Sequence, residues 1–239
     1  MKRITPMPLA LAIAGIVAAV SCASCRQLYT TSLAASLARD SVNLSSRTKT
    51  SDLVALAKTD AAGDSALAKE VLEVLSGKDT TEITNLALDD KTAILNLATT
   101  ATVKLSDLTA IAAKAGTDGA DTDALIEQAF DAFDNTVQLG AVQTLLADRE
   151  TLEQAPVETL VLASAVVAAD VAKDIGTDLL MEILEQDNPD ISALPADQQA
   201  KIELVLNVKT ALDQRSAEDL EAASIGGFNL ADLLGGSPI

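Results

Sequence analysis

Side chains able to do chemistry are sparse in this sequence, and the densest group is the acidic loop Asp118-Gly119-Ala120-Asp121-Thr122-Asp123, with Glu127 beyond it. Several oxygens from one loop suit a hard cation. An EF-hand, however, needs acids at alternate positions, a central Gly and a Glu at position 12, and this loop lacks that pattern. A turn leading into a helix N-terminus accounts for the same residues, because carboxylates there meet free N–H groups and the helix dipole. Asp187 and Asp190 read the same way, so no metal and no cofactor is expected. Ser46 and Lys49 have the S-x-x-K spacing of a serine acylase, but the accompanying S-D-N and K-T-G elements are missing. Close carboxylates such as Asp89-Asp90 have the chemistry of a glycosidase pair. With 35 Asp+Glu in 239 residues such pairs are expected on solvated faces, and one Tyr and three Phe supply few platforms for sugars. Phe130 and Phe133, one helical turn apart, read as core anchors. The chain has no His, which removes imidazole bases, Ser-His-Asp and Cys-His sites, and His-ligated zinc or haem. The expectation is a protein that is not an enzyme.

The elements that must position these residues follow from composition. Ala and Leu, both strong helix formers, make up 78 residues, while the types that pack sheets are scarce. An all-α fold of antiparallel helical hairpins, as a bundle or a short α-solenoid, is expected. The net charge of −18 and pI near 4.2 argue against nucleic acid as a partner, since phosphate binding needs a positive surface.

Lys2 and Arg3 supply a positive start, Pro8 to Val20 is an apolar run, and small residues lead to Ser21-Cys22. Charge, length and order are those of a secretory signal. The stretch from Met7 to Val20 is 14 residues, short of the roughly 20 that span a bilayer as a permanent helix. Ala19-Val20-Ser21-Cys22 resembles the lipobox of bacterial lipoprotein signal peptides, with Ala where Leu is commoner. The resemblance covers residues 1–21 and the cysteine, and does not extend to the mature domain. It implies a thioether-linked diacylglycerol on Cys22, usually followed by an acyl chain such as palmitate on the new amino group. Two or more chains anchor durably where one does not. Cys25 is the rival acceptor, and a disulfide or plain cleavage to a soluble exported protein is the competing use of the two cysteines. Ala23 follows the acceptor, and by family analogy the lack of Asp there favours the outer membrane, facing the periplasm or the surface.

Beyond the signal, residues 22–50 carry Arg26, Arg39, Arg47 and Lys49 against Asp40, a basic stalk in which Leu33, Leu37 and Leu44 are spaced for one helix. From Ser51 onward the chain carries a net charge of −23, and residues 51–224 read as helices throughout. Attraction to headgroups would hold the stalk down while repulsion lifts the body away. Leu67, Val71, Leu72 and Leu75 form a stripe stopping near Gly77; Asp79 and Glu82 have capping-box spacing. Helices are expected over 81–104, with a break at Asp89-Asp90, over 106–115, and after Asp123. Pro156 is placed at the first turn of a helix ending at Gly176, and its uncharged centre, Thr159 to Ala169, predicts a buried central helix. Pro195 opens a further helix, Ser216 and Asp219 are spaced to cap the last, and residues 225–239 read as a flexible tail.

Ser51-Asp52-Leu53 with Ala57-Lys58-Thr59-Asp60 is echoed by Ser106-Asp107-Leu108 with Ala113-Lys114 and Thr117-Asp118, and more faintly by Ala172-Lys173 with Gly176-Thr177-Asp178. Offsets of 55 to 60 residues match two helical hairpins, the unit of a stacked repeat, although Ala, Leu, Lys and Asp also align by chance. The functional expectation is a membrane-anchored envelope lipoprotein acting as an adaptor or scaffold for a protein partner. The alternative is a periplasmic carrier, or transporter-associated binding protein, for an apolar small molecule or lipid.

Overall fold

Two long helices whose apolar residues recur at helical spacing, Leu88–Thr102 and Val157–Ile175, form the centre of an all-α bundle. The computed structural model describes residues 44–103, 127–128, 130–186, 188–216 and 219, together with the backbone of 224–225 and 228–229. In chain order the helices are Thr50–Lys58 (α1), Ser65–Ser76 (α2), Thr80–Thr84 (α3), Leu88–Thr102 (α4), Gly140–Ala147 (α5), Arg149–Gln154 (α6), Val157–Ile175 (α7), Thr177–Glu185 (α8) and Ala196–Asp213 (α9). A 3-10 turn, Ala61–Gly63, joins α1 to α2. The helices α2, α4, α7 and α9 pack in that spatial order, and α5 lies across them. Ser224–Ile225 and Phe228–Asn229 pair as a two-residue antiparallel ladder.

Local chemistry explains the boundaries. The Asp64 carboxylate accepts from the N–H groups of Ala66 and Leu67 at 3.0 and 3.1 Å and starts α2. Asp79 starts α3 by accepting from Thr81 N–H at 2.8 Å, while the exposed Glu82 makes no return bond, so the expected capping box is half formed. The helical stretch expected over 81–104 is interrupted at Asn85–Ala87, not at Asp89-Asp90. The two acids fall in the first turn of α4, where the helix dipole favours them. Pro156 and Pro195 stand at the N-cap, one residue earlier than the first turn, with ψ of 139° and 145°. Gly176 ends α7 at φ +89°, a backbone state that side-chain-bearing residues rarely adopt, and thereby starts α8 without a linker.

Leu72, Leu75, Ile94, Leu95, Leu145, Leu146, Leu160 and Phe130 are fully buried or nearly so, each worth about 1.5–3 kcal/mol of transfer free energy. Along α7, Ala163, Ala168 and Ala169 are buried, and their small side chains let neighbouring helices approach closely. The uncharged centre of α7 is therefore core, and no helix among the described residues is long and apolar enough to cross a membrane. The segment after Phe130 is irregular. Phe133 pairs with Val103 in an isolated antiparallel bridge, and Asp134 N–H donates to Thr102 C=O at 2.7 Å.

Residues 44–50, expected as the end of a stalk, are joined to the body, with Thr50 already the first residue of α1. Leu44 packs on the core, and Lys78 Nζ donates to the carbonyls of Ser46 and Thr48 at 2.9 and 2.6 Å. Ser106–Leu125, the second copy of the suggested repeat, lies outside the described residues. The third echo differs from the first in its joint. Thr59-Asp60 follows α1 and precedes a 3-10 turn, whereas Thr177-Asp178 opens α8 directly.

Candidate functional site

Helix α4 presents two sides, one buried in the core and one bordering an open cleft. Ile94, Leu95, Ala98 and Ala101 face the core, and Lys91, one turn earlier on the same stripe, is only 2% exposed. Its Nζ donates to Asp148 Oδ2 at 2.9 Å, with Glu150 Oε2 at 3.7 Å. Asp148 is itself the N-cap of α6, accepting from Thr151 N–H at 3.2 Å and from the Thr151 hydroxyl. Burial pushes the Asp148 carboxyl up, but hydrogen bonds from Thr151 and Lys91 outweigh it and hold the group below the usual carboxylate range. A carboxyl kept ionised in this way is a poor general acid, and its bonds brace α4 against the α5–α6 corner.

Beside this brace, Leu88, Asp89, Thr92, Ala93 and Asn96 of α4 face Gln154 and Pro156 across an open cleft of about 320 Å³. Asn96 is held by the Thr159 hydroxyl, which donates to its Oδ1 at 3.2 Å. The lining is mixed, apolar at Leu88, Ala93 and Pro156 and polar at Asp89, Thr92, Asn96 and Gln154. Such a lining can receive a small apolar body or one side chain of a partner.

A second polar cluster fixes the irregular segment. Lys69 pairs with Asp134 at 2.6 Å, and Asp134 also accepts from Thr136 through N–H and hydroxyl at 2.9 and 2.7 Å. The Lys69 ammonium, then the Thr136 donors, hold the Asp134 carboxyl far below the usual range. Lys173 donates to the Phe133 carbonyl from the other side. The same use of cations recurs. Lys58 pairs with Asp90, Lys201 with Asp170 at 2.6 Å, and Arg149 with Glu153. Lys209 donates to Leu184 C=O, and Arg215 Nη2 donates to the carbonyls of Leu152 and Ala155, each at 2.9 Å. Every described Lys and Arg from Lys58 to Arg215 is thus engaged within the body.

The residues singled out from sequence are not brought together. Cys22, Cys25, the loop Asp118–Asp123 and Asp187 lie outside the described residues. Glu127 is exposed. Ser46 and Lys49 are both exposed and make no hydrogen bond to each other. Asp89 borders the cleft while Asp90 pairs with Lys58, so these neighbours have separate partners. Asp190 accepts from Ser192 N–H and hydroxyl, which lower its carboxyl pKa and make it a turn residue. Phe130 and Phe133 are core, at 2% and 7% exposed. No group of acids and cysteines that could hold a metal ion occurs among the described residues. Sequence reasoning missed Lys91, although a signal was there: a lone cation on the apolar stripe of α4, three residues before Ile94, has to be buried with a partner. Comparison of the chain with protein-family models, with curated proteins and with solved structures found no match.

Proposed function

We propose that this protein is an exported lipoprotein, anchored through Cys22, whose all-α body is a non-enzymatic adaptor for a protein partner at the cell envelope, with the outer membrane the favoured site. The lipobox-like Ala19-Val20-Ser21-Cys22 supports the anchor. The observation that carries the adaptor reading is the placement of charge. From Lys58 to Arg215 the described cations are each engaged by a partner within the chain, leaving carboxylates such as Asp52, Glu70, Glu73, Asp178 and Glu182 exposed without a cation among the described residues. A braced helical body with a strong excess of acids repels anionic lipid and steers a basic protein partner. The fixed Leu44–Thr48 segment makes the junction between stalk and body firm.

Crosslinking in native cells, followed by fractionation, tests the reading with wild type and Cys22→Ala side by side. The wild type is expected in the membrane fraction with the same protein partner in repeated captures, and Cys22→Ala in the soluble fraction without it. Repeated captures holding no protein partner contradict the proposal.

The cleft between α4 and the α6–α7 joint favours a second reading, a carrier of an apolar small molecule or lipid. Native mass spectrometry checks it: a co-purified ligand, lost on Ala93→Trp, supports the carrier, and a bare chain removes it.

A further inference from the structure

The described cations divide into two groups. From Lys58 to Arg215 each has a partner within the chain. Arg47 and Lys49, both exposed, instead have side chains that make no ion pair or hydrogen bond among the described residues. These two flank Thr48 in a turn with its own hydrogen bonds. Thr48 N–H donates to Ser45 C=O at 2.9 Å, Ser45 N–H to Thr48 Oγ1 at 3.1 Å and Arg47 N–H to Ser45 Oγ at 3.3 Å. Lys78 grips the same turn through the carbonyls of Ser46 and Thr48, and so brings a third positive charge to it. Leu44 packs on the core on one side of the turn and the buried Thr50 opens α1 on the other, so the turn moves with the body. The acids closest in sequence, Asp52 in the first turn of α1 and Asp79 at the N-cap of α3, stand at helix N-termini, whose dipoles offset part of their charge. The turn is therefore a basic spot on a chain that carries −23 from Ser51 onward, and it lies where the chain arrives from Cys22, 22 residues before Leu44.

We propose that residues 45–49, with Lys78 behind them, form the foot on which the body stands on the membrane holding the Cys22 acyl chains, Arg47 and Lys49 pairing with anionic lipid headgroups. The proposal rests on the anchor reading and adds to it the surface that meets lipid, and hence the orientation of the body. The foot is drawn to the bilayer, while the acidic remainder is repelled and points away, open to a protein partner. Screening confines both forces to about 8–10 Å from the headgroups, so the cations that reach them decide the pose.

The chain has no Trp, so one introduced Trp reports its own position. The test uses the full lipidated chain, purified from its native membrane and reconstituted into vesicles carrying a headgroup-level quencher. The vesicles are phosphatidylcholine alone, or phosphatidylcholine in equal parts with phosphatidylglycerol. Ser46→Trp places the reporter in the turn, and Ala200→Trp, on α9 at the far end of the helix order from α2, is the comparison; both positions are exposed. The expected result is strong quenching of the Ser46→Trp protein on the anionic vesicles, weaker quenching on the neutral ones, and little of the Ala200→Trp protein on either. Each Lys or Arg beside an anionic surface is worth about a five-fold change in its occupancy, so adding Arg47→Gln and Lys49→Gln should lower contact by up to about 25-fold. Quenching at 46 should then fall to the neutral-vesicle level, with thermal unfolding unchanged because neither side chain is paired. Quenching at 46 that ignores lipid charge, survives the double variant or is matched at 200 overturns the proposal and leaves the anchor standing. A purified chain without acyl groups that stays off the vesicles contradicts both.

Discussion

Replacing Asp148 by Asn and Lys91 by Met should have very unequal costs, although the two form one ion pair. The Lys91 side chain is 3% exposed and that of Asp148 19%. Asn keeps the N-cap, since its side-chain oxygen still accepts from Thr151, so Asp148→Asn removes only the charge. It strands an ammonium in the core, with the Glu150 carboxylate, 66% exposed and 3.7 Å away, as the remaining anion. Breaking a buried pair from this side costs about 3–5 kcal/mol, and partial help from Glu150 places the expected value near the lower end, about 3 kcal/mol. Lys91→Met instead puts an apolar chain of similar length on an apolar stripe. Asp148 retains both Thr151 donors and some water, so the expected change lies between about 1 kcal/mol of loss and a small gain. In the Lys91→Met background, Asp148→Asn should cost only a few tenths of a kcal/mol, because no cation is left to strand. Urea unfolding followed by far-ultraviolet circular dichroism measures all four proteins. Equal losses for the two single variants, or a Lys91→Met loss above about 2 kcal/mol, would refute the reasoning.

Other perturbations read different parts of the molecule. The Asp134 carboxyl is held low chiefly by Lys69, so the folded state binds fewer protons than the unfolded chain. That stabilisation is complete above about pH 4 and is lost as pH falls toward the folded-state pKa. Asp134→Asn should therefore narrow its stability gap from wild type steadily below pH 4, as followed by urea unfolding across pH; a gap independent of pH contradicts the assignment. Gly176→Ala forces a Cβ onto φ +89° and should lose about 1–3 kcal/mol, whereas Gly63→Ala, where nothing lies within 4 Å of the added carbon, should be neutral or gain up to about 1 kcal/mol. Thermal unfolding of the two variants checks the contrast. Arg215→Ala leaves the carbonyls of Leu152 and Ala155 without their donor and should raise hydrogen exchange at the α6–α7 joint first.

Much of the architecture was legible because it rests on local rules. The stripe Leu67, Val71, Leu72 and Leu75 with Gly77 behind it, the uncharged centre of α7, and Gly176 as a stop each follow from helical period or backbone freedom. Ser216 and Asp219 also meet as their spacing suggested, with Asp219 N–H donating to Ser216 Oγ at 3.1 Å. The break placed at Asp89-Asp90 fell instead at Asn85–Ala87, since acids at a helix start and acids at a break look alike without the cap in view. The brace between Lys91 and Asp148 joins residues 57 positions apart, and the Lys69–Asp134 pair joins residues 65 apart, so neither spacing carries a local signal. Composition gives the sum of charge, but only packing shows that the described cations from Lys58 to Arg215 each find a partner within the chain.

The central claim, a tethered adaptor, is tested most directly by the intact mass of the protein purified from its native membrane, with Cys22→Ala beside it. The account predicts a chain beginning at Cys22 and carrying acyl groups, with that added mass absent from the variant. An unmodified mature chain in the soluble fraction would contradict the anchor and move the carrier reading ahead of the adaptor.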